Sequence, residues 1–543
     1  MSVRRVVGTE TEYAVMADRG NPVRWSFDVI LGAGADGDAR RIRWDYRQED
    51  PVNDMRGRRL ERAAARPEML TDEPQRQITN VLADNGGRLY VDHAHPEYSS
   101  PETCDPFTAV AYDTAGDVLM RRAAEHANAE GLDDGTLRLY RNNVDGKGAS
   151  WGSHENYLMR RDVPFDATAA MMTAHFVTRQ QYVGSGRIGL GERGERAGYQ
   201  LSQRADYFHM NVALQTTFDR PIVNTRDEAH APADMRRLHV IVGDANRMDV
   251  PRVLKLGTTS MLLWTLEHAD EAGIDVASRL EQLRLADPVD AMHRVSHDLT
   301  LAEPLALAHG GTMTAWQIQV MLNALVYETA AAVHGTDTRG EPVWPDRETR
   351  SVMAMWKQAL LDVAAIRHAD DGERLQSTAE AGRLEWLLKW QLVERMRRRL
   401  HPDEPLERAL ADPRLQAIDL RWASLDESES IYARLRGRTE RTASDDEIAQ
   451  AVDTPPADTR AWLRGTLVRR WPEQLRAVSW THVTTRDDAD GRQWTLDMSD
   501  PHAFTQEACA EVLAGADDAW GAVRALGATP APRPRDGDAR NAV

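Results

Sequence analysis

The sequence predicts an α+β protein built on a sheet with a polar, site-bearing face, and three observations carry that prediction. Strand candidates lie within residues 3–242, with two helices among them, while 252–399 is mainly helical, so a sheet and a helical mass are both expected. The stretches Glu10-Thr-Glu12 and Arg88-Leu-Tyr-Val-Asp-His-Ala-His-Pro-Glu97 repeat polar residues at every second position. An extended chain turns residues i and i+2 to one face, so Glu10 and Glu12 project together, as do Arg88, Tyr90 and Asp92. Such a row makes a poor packing surface and a good lining for an anion, a cation and a reacting water. Finally, 543 residues exceed one ordinary core, so a large domain with a smaller companion is expected.

Taken in order, residues 3–7 read as a short strand leading into Glu10. Residues 32–84 are rich in Gly, Asp, Arg and Pro without apolar periodicity, which predicts a mobile insertion between two strands of one sheet. A strand follows at 89–92 and a helix at 105–130. Further strands are expected at 137–144, 156–159, 211–215 and 238–242, with a helix at 167–181. Six glycines between Gly184 and Gly198 predict a loop. Within 252–399, Leu384, Leu387, Leu388, Leu392 and Met396 recur at helical spacing. The basic run 395–399 reads as a solvated face. A composition shift near Ala443 opens a small C-terminal domain, 443–527. In it, Thr454-Pro-Pro is a helix-start signal and Trp480 sits in a strand over 477–483. The Pro/Arg/Asp-rich residues 528–543 read as a disordered tail.

Composition narrows the function classes. Hydrophobic and charged contents of 42% and 28% are globular values. A net charge of −18 argues against a nucleic-acid partner. Cys104 and Cys509 alone support no disulfide framework and no thiolate metal site, and they fit a reducing compartment. The absence of a signal-like stretch or a long apolar run predicts a soluble, cytoplasmic chain with no membrane partner.

Glu10 and Glu12 repel each other, so either a hard cation such as Mg²⁺ compensates them or they face solvent on an edge strand. His93 and His95 form an H-x-H pair that suggests zinc. Strand alternation, however, is expected to put both imidazoles opposite Asp92, with Pro96 interrupting the strand. A turn at Pro96 would return Glu97 toward Tyr90 and Asp92, leaving Asp92 placed as general base or nucleophile. His154 and His239 are each a lone histidine near a strand, structural or ligating. Arg226 suits a phosphate or an ion pair. No Walker or dinucleotide fingerprint is present, so a nucleotide would be held on the sheet by arginine and Mg²⁺.

The wording of several motifs goes further. Gly8-Thr-Glu-Thr-Glu-Tyr13, the run from Gly87 to Ser99, Asn142-Asn-Val-Asp-Gly-Lys-Gly-Ala-Ser150, His154-Glu-Asn-Tyr-Leu, Leu201-Ser-Gln-Arg-Ala-Asp and Arg236-Arg-Leu-His-Val-Ile-Val-Gly-Asp-Ala-Asn246 resemble the Pup ligase/Pup deamidase family. Pup is the prokaryotic ubiquitin-like modifier that marks proteins for the bacterial proteasome. The resemblance spans about residues 3–500. It implies a glutamine-synthetase-like catalytic domain over 1–442, a curved antiparallel sheet backed by helices, followed by the small C-terminal domain.

Asp92-His-Ala-His-Pro-Glu, Asp145-Gly-Lys-Gly-Ala-Ser and the insertion before Asn85 resemble the deamidase/depupylase branch. That branch implies conversion of Pup's C-terminal Gln to Glu and cleavage of Pup–lysine isopeptide bonds. The implied cofactor is Mg²⁺ with ATP (or ADP plus phosphate), bound rather than consumed, and the implied partners are Pup and pupylated proteins. By the same resemblance Glu10, Tyr90, Glu97, His154 and His239 match metal positions. Arg88, Ser99, Ser100, Arg226, Arg237 and Trp480 match nucleotide contacts, and Asp92 matches the catalytic group, base or nucleophile. Val144, Ser153, Gly87 and Ala229 depart from the family wording and bear on fine substrate positioning. The rival readings are a Pup–protein ligase consuming ATP, a non-catalytic Pup-binding regulator, and a zinc hydrolase using His93 and His95.

Overall fold

Among the described residues six strands build the central sheet: β1 (Val7–Glu12), β2 (Asn80–Leu82), β3 (Arg88–Asp92), β4 (His95–Ser99), β5 (Ser153–Arg160) and β6 (Met235–Val240). Their order is β6-β5-β1-β4-β3-β2 and every neighbouring pair is antiparallel. The computed structural model describes residues 2–34, 42–66, 69–70, 80–132, 134–191, 197–217, 219–487 and 490–531.

Period-two alternation sorts the two faces. Val7, Leu89, Val91, Tyr98, Tyr157, Leu238 and Val240 are buried on the back, against helices that follow α1 (Pro22–Ala33), chiefly α2 (Pro106–Ala129) and α3 (Asp249–Glu267). Helix α2 starts where it does because the Asp105 side chain accepts from the Phe107 and Thr108 amides and Pro106 occupies the first turn. It approaches closely because residue 116 is glycine: a Cβ there would lie 2.2 Å from the Tyr98 ring. The hydroxyls of Thr9 and Thr11 reach from β1 to Asp113 Oδ1 at 3.2 and 3.4 Å. Asp113 is neutralised by Arg141 and Arg252 at 2.5 and 3.0 Å.

The helical mass continues with α4 (Ala315–His334), α5 (Arg347–Ile366) and α6 (Glu385–Leu400), interrupted by a hairpin of Pro304–Ala306 and Thr312–Thr314. On α6 the buried face runs through Trp386, Leu387, Trp390 and Val393, whereas Leu388, Leu392 and Met396 are only partly covered. The bulkier tryptophans rotate the apolar stripe away from the leucine spacing. In the basic run, Arg397 and Arg398 both bond Glu394 at 2.7 Å.

A second sheet comprises β7 (Leu475–Val478), β8 (His482–Arg486) and β9 (Gln493–Asp497), with Arg43–Trp44 running parallel beside β7. Its core joins Trp44 and Leu82 to Leu463, Leu467, Val478, Val483, Leu496 and Val523. The single strand expected over 477–483 is therefore two. The Ser479 hydroxyl accepts from the Thr481 and His482 amides at 3.2 and 3.0 Å, closing a turn that carries Trp480.

The strand expected at 3–7 begins at Val7 and runs through Glu12, so both glutamates lie within it rather than beyond it. Thr454 caps the end of Asp445–Asp453, a helix packed on α2, and the next helix begins at Ala461. Its proline pair marks an exit, in keeping with the missing amide of proline. Residues 42–66, expected as structureless insertion, hold the Arg43–Trp44 strand and a hairpin of Asn53–Asp54 with Arg58–Arg59. Parts of 32–84 and of 184–198, and residues 532–543 of the expected tail, lie outside the described residues. Thr529–Pro530 pairs with β9.

Candidate active site

Register aligns the polar residues of four strands on the front face. Glu10 lies opposite His154 on one side and Ser99 on the other, and Ser99 lies opposite Arg88. In the next row Glu12 faces Glu97, which faces Tyr90. The result is a cleft of about 260 Å³ lined by Glu10, Arg88, Tyr90, Asp92, Glu97, Ser99, His154, Arg226, Arg237, His239 and Trp480. Of the positions that the family resemblance assigns to catalysis, metal or nucleotide, Ser100 alone is not in this lining; Glu12 and His95, singled out by spacing, are not in it either. The Ser100 hydroxyl accepts from Thr9 N at 2.9 Å and donates to Pro101 O at 3.2 Å, and Ser100 borders a smaller adjoining cavity.

The hairpin after Asp92 corrects two expectations. The chain reverses at His93 and Ala94, with His93 at φ 51°, and not at Pro96, which pairs with Val91 inside β4. His95 thus lies opposite Asp92 and on its face, not behind it. Its Nδ1 is 3.2 Å from Glu12 Oε2 and its ring sits 4.9 Å from Trp151. His93 Nδ1 is 2.7 Å from Asp92 Oδ2. Each imidazole answers a different carboxylate, and neither joins a metal-capable cluster among the described residues.

Two such clusters do exist: Glu10 with His154 and His239, and Glu12 with Asp92 and Glu97, the donor atoms of each lying within 4.8 Å of one another. Glu10 Oε2 is 3.0 Å from His154 Nδ1, and Oε1 accepts from Asn156 Nδ2 at 3.1 Å. Burial works to raise the Glu10 pKa, but the His154 bond and the charges of His239 and Arg237 outweigh it and hold the carboxyl well below its usual range. Burial likewise opposes the ionisation of Glu12, yet His95 brings it down to about 2.

Glu97 behaves oppositely. Burial, then Asp92, Glu12 and Glu10, push its carboxyl well above the ordinary value. Its Oε2 is buried without a hydrogen-bond partner. Crowded carboxylates with an orphaned oxygen fit a divalent cation, which takes oxygen ligands and offsets the repulsion. Burial and the charge of Glu97 keep the Tyr90 phenol protonated, well above its normal pKa.

Beside these clusters stand three arginines, and Arg237 Nη1 is 3.9 Å from Glu10 Oε1. Arg88 donates from Nε to Asn80 Oδ1 at 2.7 Å, and its guanidinium lies 4.0 Å from the Trp44 ring and 3.9 Å from the Tyr90 ring. Arg237 donates from Nη1 to Asn156 Oδ1 at 3.1 Å. Arg226 and Arg237 flank Glu228 at 3.7 and 3.2 Å. The smaller cavity, about 80 Å³, is lined by apolar groups of Val7, Leu158, Ala229, Pro501 and Trp480. It shares Glu10, Ser99, Arg237 and Trp480 with the larger cleft and so offers a largely apolar slot beside a cationic one.

Sequence reasoning missed Asn156, which period-two spacing from His154 would have found. It also missed Trp44, Tyr46 and Glu49, which sit in a segment with no periodic signal. Glu228 was passed over beside Arg226.

A polar sheet face that gathers clustered carboxylates, arginines and an apolar slot has the chemistry of an enzyme site able to take a cation and an anion together. Comparison with known proteins specifies it: residues 5–484 match the Pup-ligase protein family, and the chain belongs to that family. It is 41% identical to the Pup deamidase/depupylase of Mycolicibacterium smegmatis over 89% of this chain and 91% of that protein. It is 40% identical to the depupylase of Acidothermus cellulolyticus over the same shares of 89% and 91%. Identity to the Pup–protein ligase of Sanguibacter keddieii is 36%, over 79% of this chain and 88% of the ligase. The solved complex of Pup with its ligase PafA superposes with a TM-score of 0.71 at 27% identity, covering 93% of this chain and 90% of that one. PafA in complex with ADP gives 0.66 at 30% identity, covering 80% and 90%. The α+β, glutamine-synthetase-like arrangement is thus shared with these ligases.

Proposed function

We propose that this chain is a Pup deamidase/depupylase. It hydrolyses the side-chain amide of Pup's C-terminal Gln and the isopeptide bond between Pup and a target lysine. The observation that carries this is Asp92, a carboxylate at the mouth of a cation-type cluster, in a chain matching depupylases at 40–41% identity over 89% of its length. Asp92 either takes a proton from a water that attacks the side-chain carbonyl or attacks that carbonyl itself; the first route places the water between the carboxylate and the carbonyl carbon, the second places a carboxylate oxygen directly against it.

The cofactors are Mg²⁺ and an adenine nucleotide. Glu10, Tyr90, Glu97, His154 and His239 would hold the metal, Arg88, Arg226 and Arg237 the phosphates, and Trp480 with the adjoining slot the base. Ser99 borders both cavities, and Ser100 supports the strand beside them. When bound, the metal–nucleotide supplies Lewis-acid and electrostatic stabilisation of the developing oxyanion. The catalytic domain spans 1–442 and the small domain 443–527 in this reading, and pupylated proteins are the macromolecular partners. Among the described residues no helix is long and apolar enough to cross a membrane. Cytoplasmic residence suits the two buried free cysteines.

The test is incubation with Pup ending in Gln, Mg²⁺ and ATP, following the mass shift of deamidation. No shift with folded protein overturns the assignment. Because the superposed structures are those of a ligase, the parallel arm uses Pup ending in Glu, ATP and a lysine-bearing protein. Net conjugate with ADP release would reverse the choice.

A further inference from the structure

Glu228 stands apart from the other cleft carboxylates. It belongs to neither metal-capable cluster, yet it is only 7% exposed and both of its oxygens are engaged. Oε2 lies 3.2 Å from Arg237 Nη2 and 3.7 Å from Arg226 Nη1. Oε1 accepts the Asp50 amide at 2.6 Å. The backbone carbonyl of the same residue accepts Arg237 Nε at 2.9 Å, while Asn156 holds Nη1 at 3.1 Å. Arg237 is therefore fixed on three sides, twice by one residue.

The Asp50 bond is part of a longer seam. Asp227 N donates to Asn53 O at 3.0 Å and Met55 N to Thr225 O at 2.8 Å. Residues 50–55 thus run along 225–228 on the rim of the cleft. Two like-charged guanidiniums side by side repel, and long side chains lose rotamer freedom when aimed at one point. A carboxylate placed between them removes both difficulties before any ligand arrives, as outer-sphere carboxylates do for metal ligands.

We propose that Glu228 is a positioning residue for anion binding: it aims Arg226 and Arg237 at the nucleotide phosphates and couples that aim to the rim segment 50–55. This rests on the nucleotide reading above. The experiment is calorimetric titration of Mg²⁺–ATP into the full chain, as wild type, Glu228→Gln, Arg237→Gln and the double variant. Glu228→Gln keeps the shape and an oxygen for the Asp50 amide while deleting the charge, and its unchanged melting temperature separates mispositioning from unfolding.

The expected result is Mg²⁺–ATP affinity weakened about 10-fold or more, the scale seen when a supporting carboxylate is lost. In turnover, the nucleotide KM rises by more than kcat falls. The double variant loses less affinity than the two single losses combined, since Glu228 acts in part through Arg237 and in part through Arg226. Wild-type affinity in Glu228→Gln, or losses that add in the double variant, would overturn the inference while leaving the nucleotide reading intact. If wild type itself binds no Mg²⁺–ATP, the nucleotide reading falls and this inference falls with it.

Discussion

Asp92 ends its strand where the chain reverses, so its carboxylate reaches the cleft mouth while its neighbours Val91 and Leu89 stay in the core. Its group is the one whose removal should separate chemistry from binding. Asp92→Asn is expected to lower deamidation and depupylation by about 10²–10⁴-fold, the share typical of a positioned base. Nucleotide affinity by titration should persist, because the arginines and the apolar slot are untouched. Cleavage at the wild-type rate would remove Asp92 from the mechanism.

Glu49 yields a different prediction. Burial raises its pKa from 4.5 to about 7, partly offset by Arg88 at 3.8 Å. The unfolded chain releases this proton first, so stability is fully present below 4.5 and declines as pH rises toward about 7. The ceiling on that loss is about 3 kcal/mol at 1.36 kcal/mol per pKa unit. Glu49→Gln should flatten this part of the melting-temperature profile, and an equally steep profile in the variant would refute the assignment. At this scale alternation alone made the pairs Glu10/Glu12 and Arg88/Tyr90/Asp92 legible. Glu49 was invisible because its role depends on a tertiary contact with Arg88.

At the scale of elements, the sheet face is held in shape by what packs behind it. Helix α2 lies against β4 only because residue 116 has no side chain. Gly116→Ala would drive a methyl into the Tyr98 ring, and overpacking of this kind costs about 1–3 kcal/mol. Urea unfolding should show that loss together with weaker activity, since Tyr98 neighbours Glu97 and Ser99 on β4. A neutral or stabilising result would mean that α2 can shift without cost.

The elements most legible in the sequence were those with sustained periodicity, α2 and β3 among them. Turns were the least legible. The reversal at His93 and Ala94 lacks glycine, so the proline at 96 drew attention that belonged three residues earlier. The turn at Trp480 is closed by Ser479, a signal too short to outweigh the apolar residues on either side. Residues 42–66 read as unstructured because their partners are remote: β7 for Arg43–Trp44 and Thr225 to Glu228 for the hairpin region.

For the whole molecule, the decisive property is that one cleft gathers residues from Glu10 to Trp480. Trp44 and Trp480, both of the small sheet's core, meet edge to face at 5.1 Å, and the Arg88 guanidinium of β3 lies 4.0 Å from the Trp44 ring, joining that core to the large sheet. A ligand bridging the Glu10 cluster, the arginines and Trp480 would contact both cores at once, so its binding free energy would add to the stability of the whole chain. Binding to the folded state alone stabilises by RT ln(1 + [L]/Kd), about 2.7 kcal/mol at a hundredfold excess over Kd. Mg²⁺ with ATP is therefore expected to raise the melting temperature in a single transition that includes both cores. Mg²⁺ alone should raise it less, because in the proposed site it would engage the carboxylate cluster but not the arginines or Trp480. Removing divalent ions with a general chelator should reverse the shift and abolish turnover. A zinc-selective chelator should do neither, because His93 and His95 are each committed to a carboxylate. Calorimetry that shows no shift at saturating Mg²⁺–ATP, or a shift confined to one of two separate transitions, would refute a shared site spanning both cores.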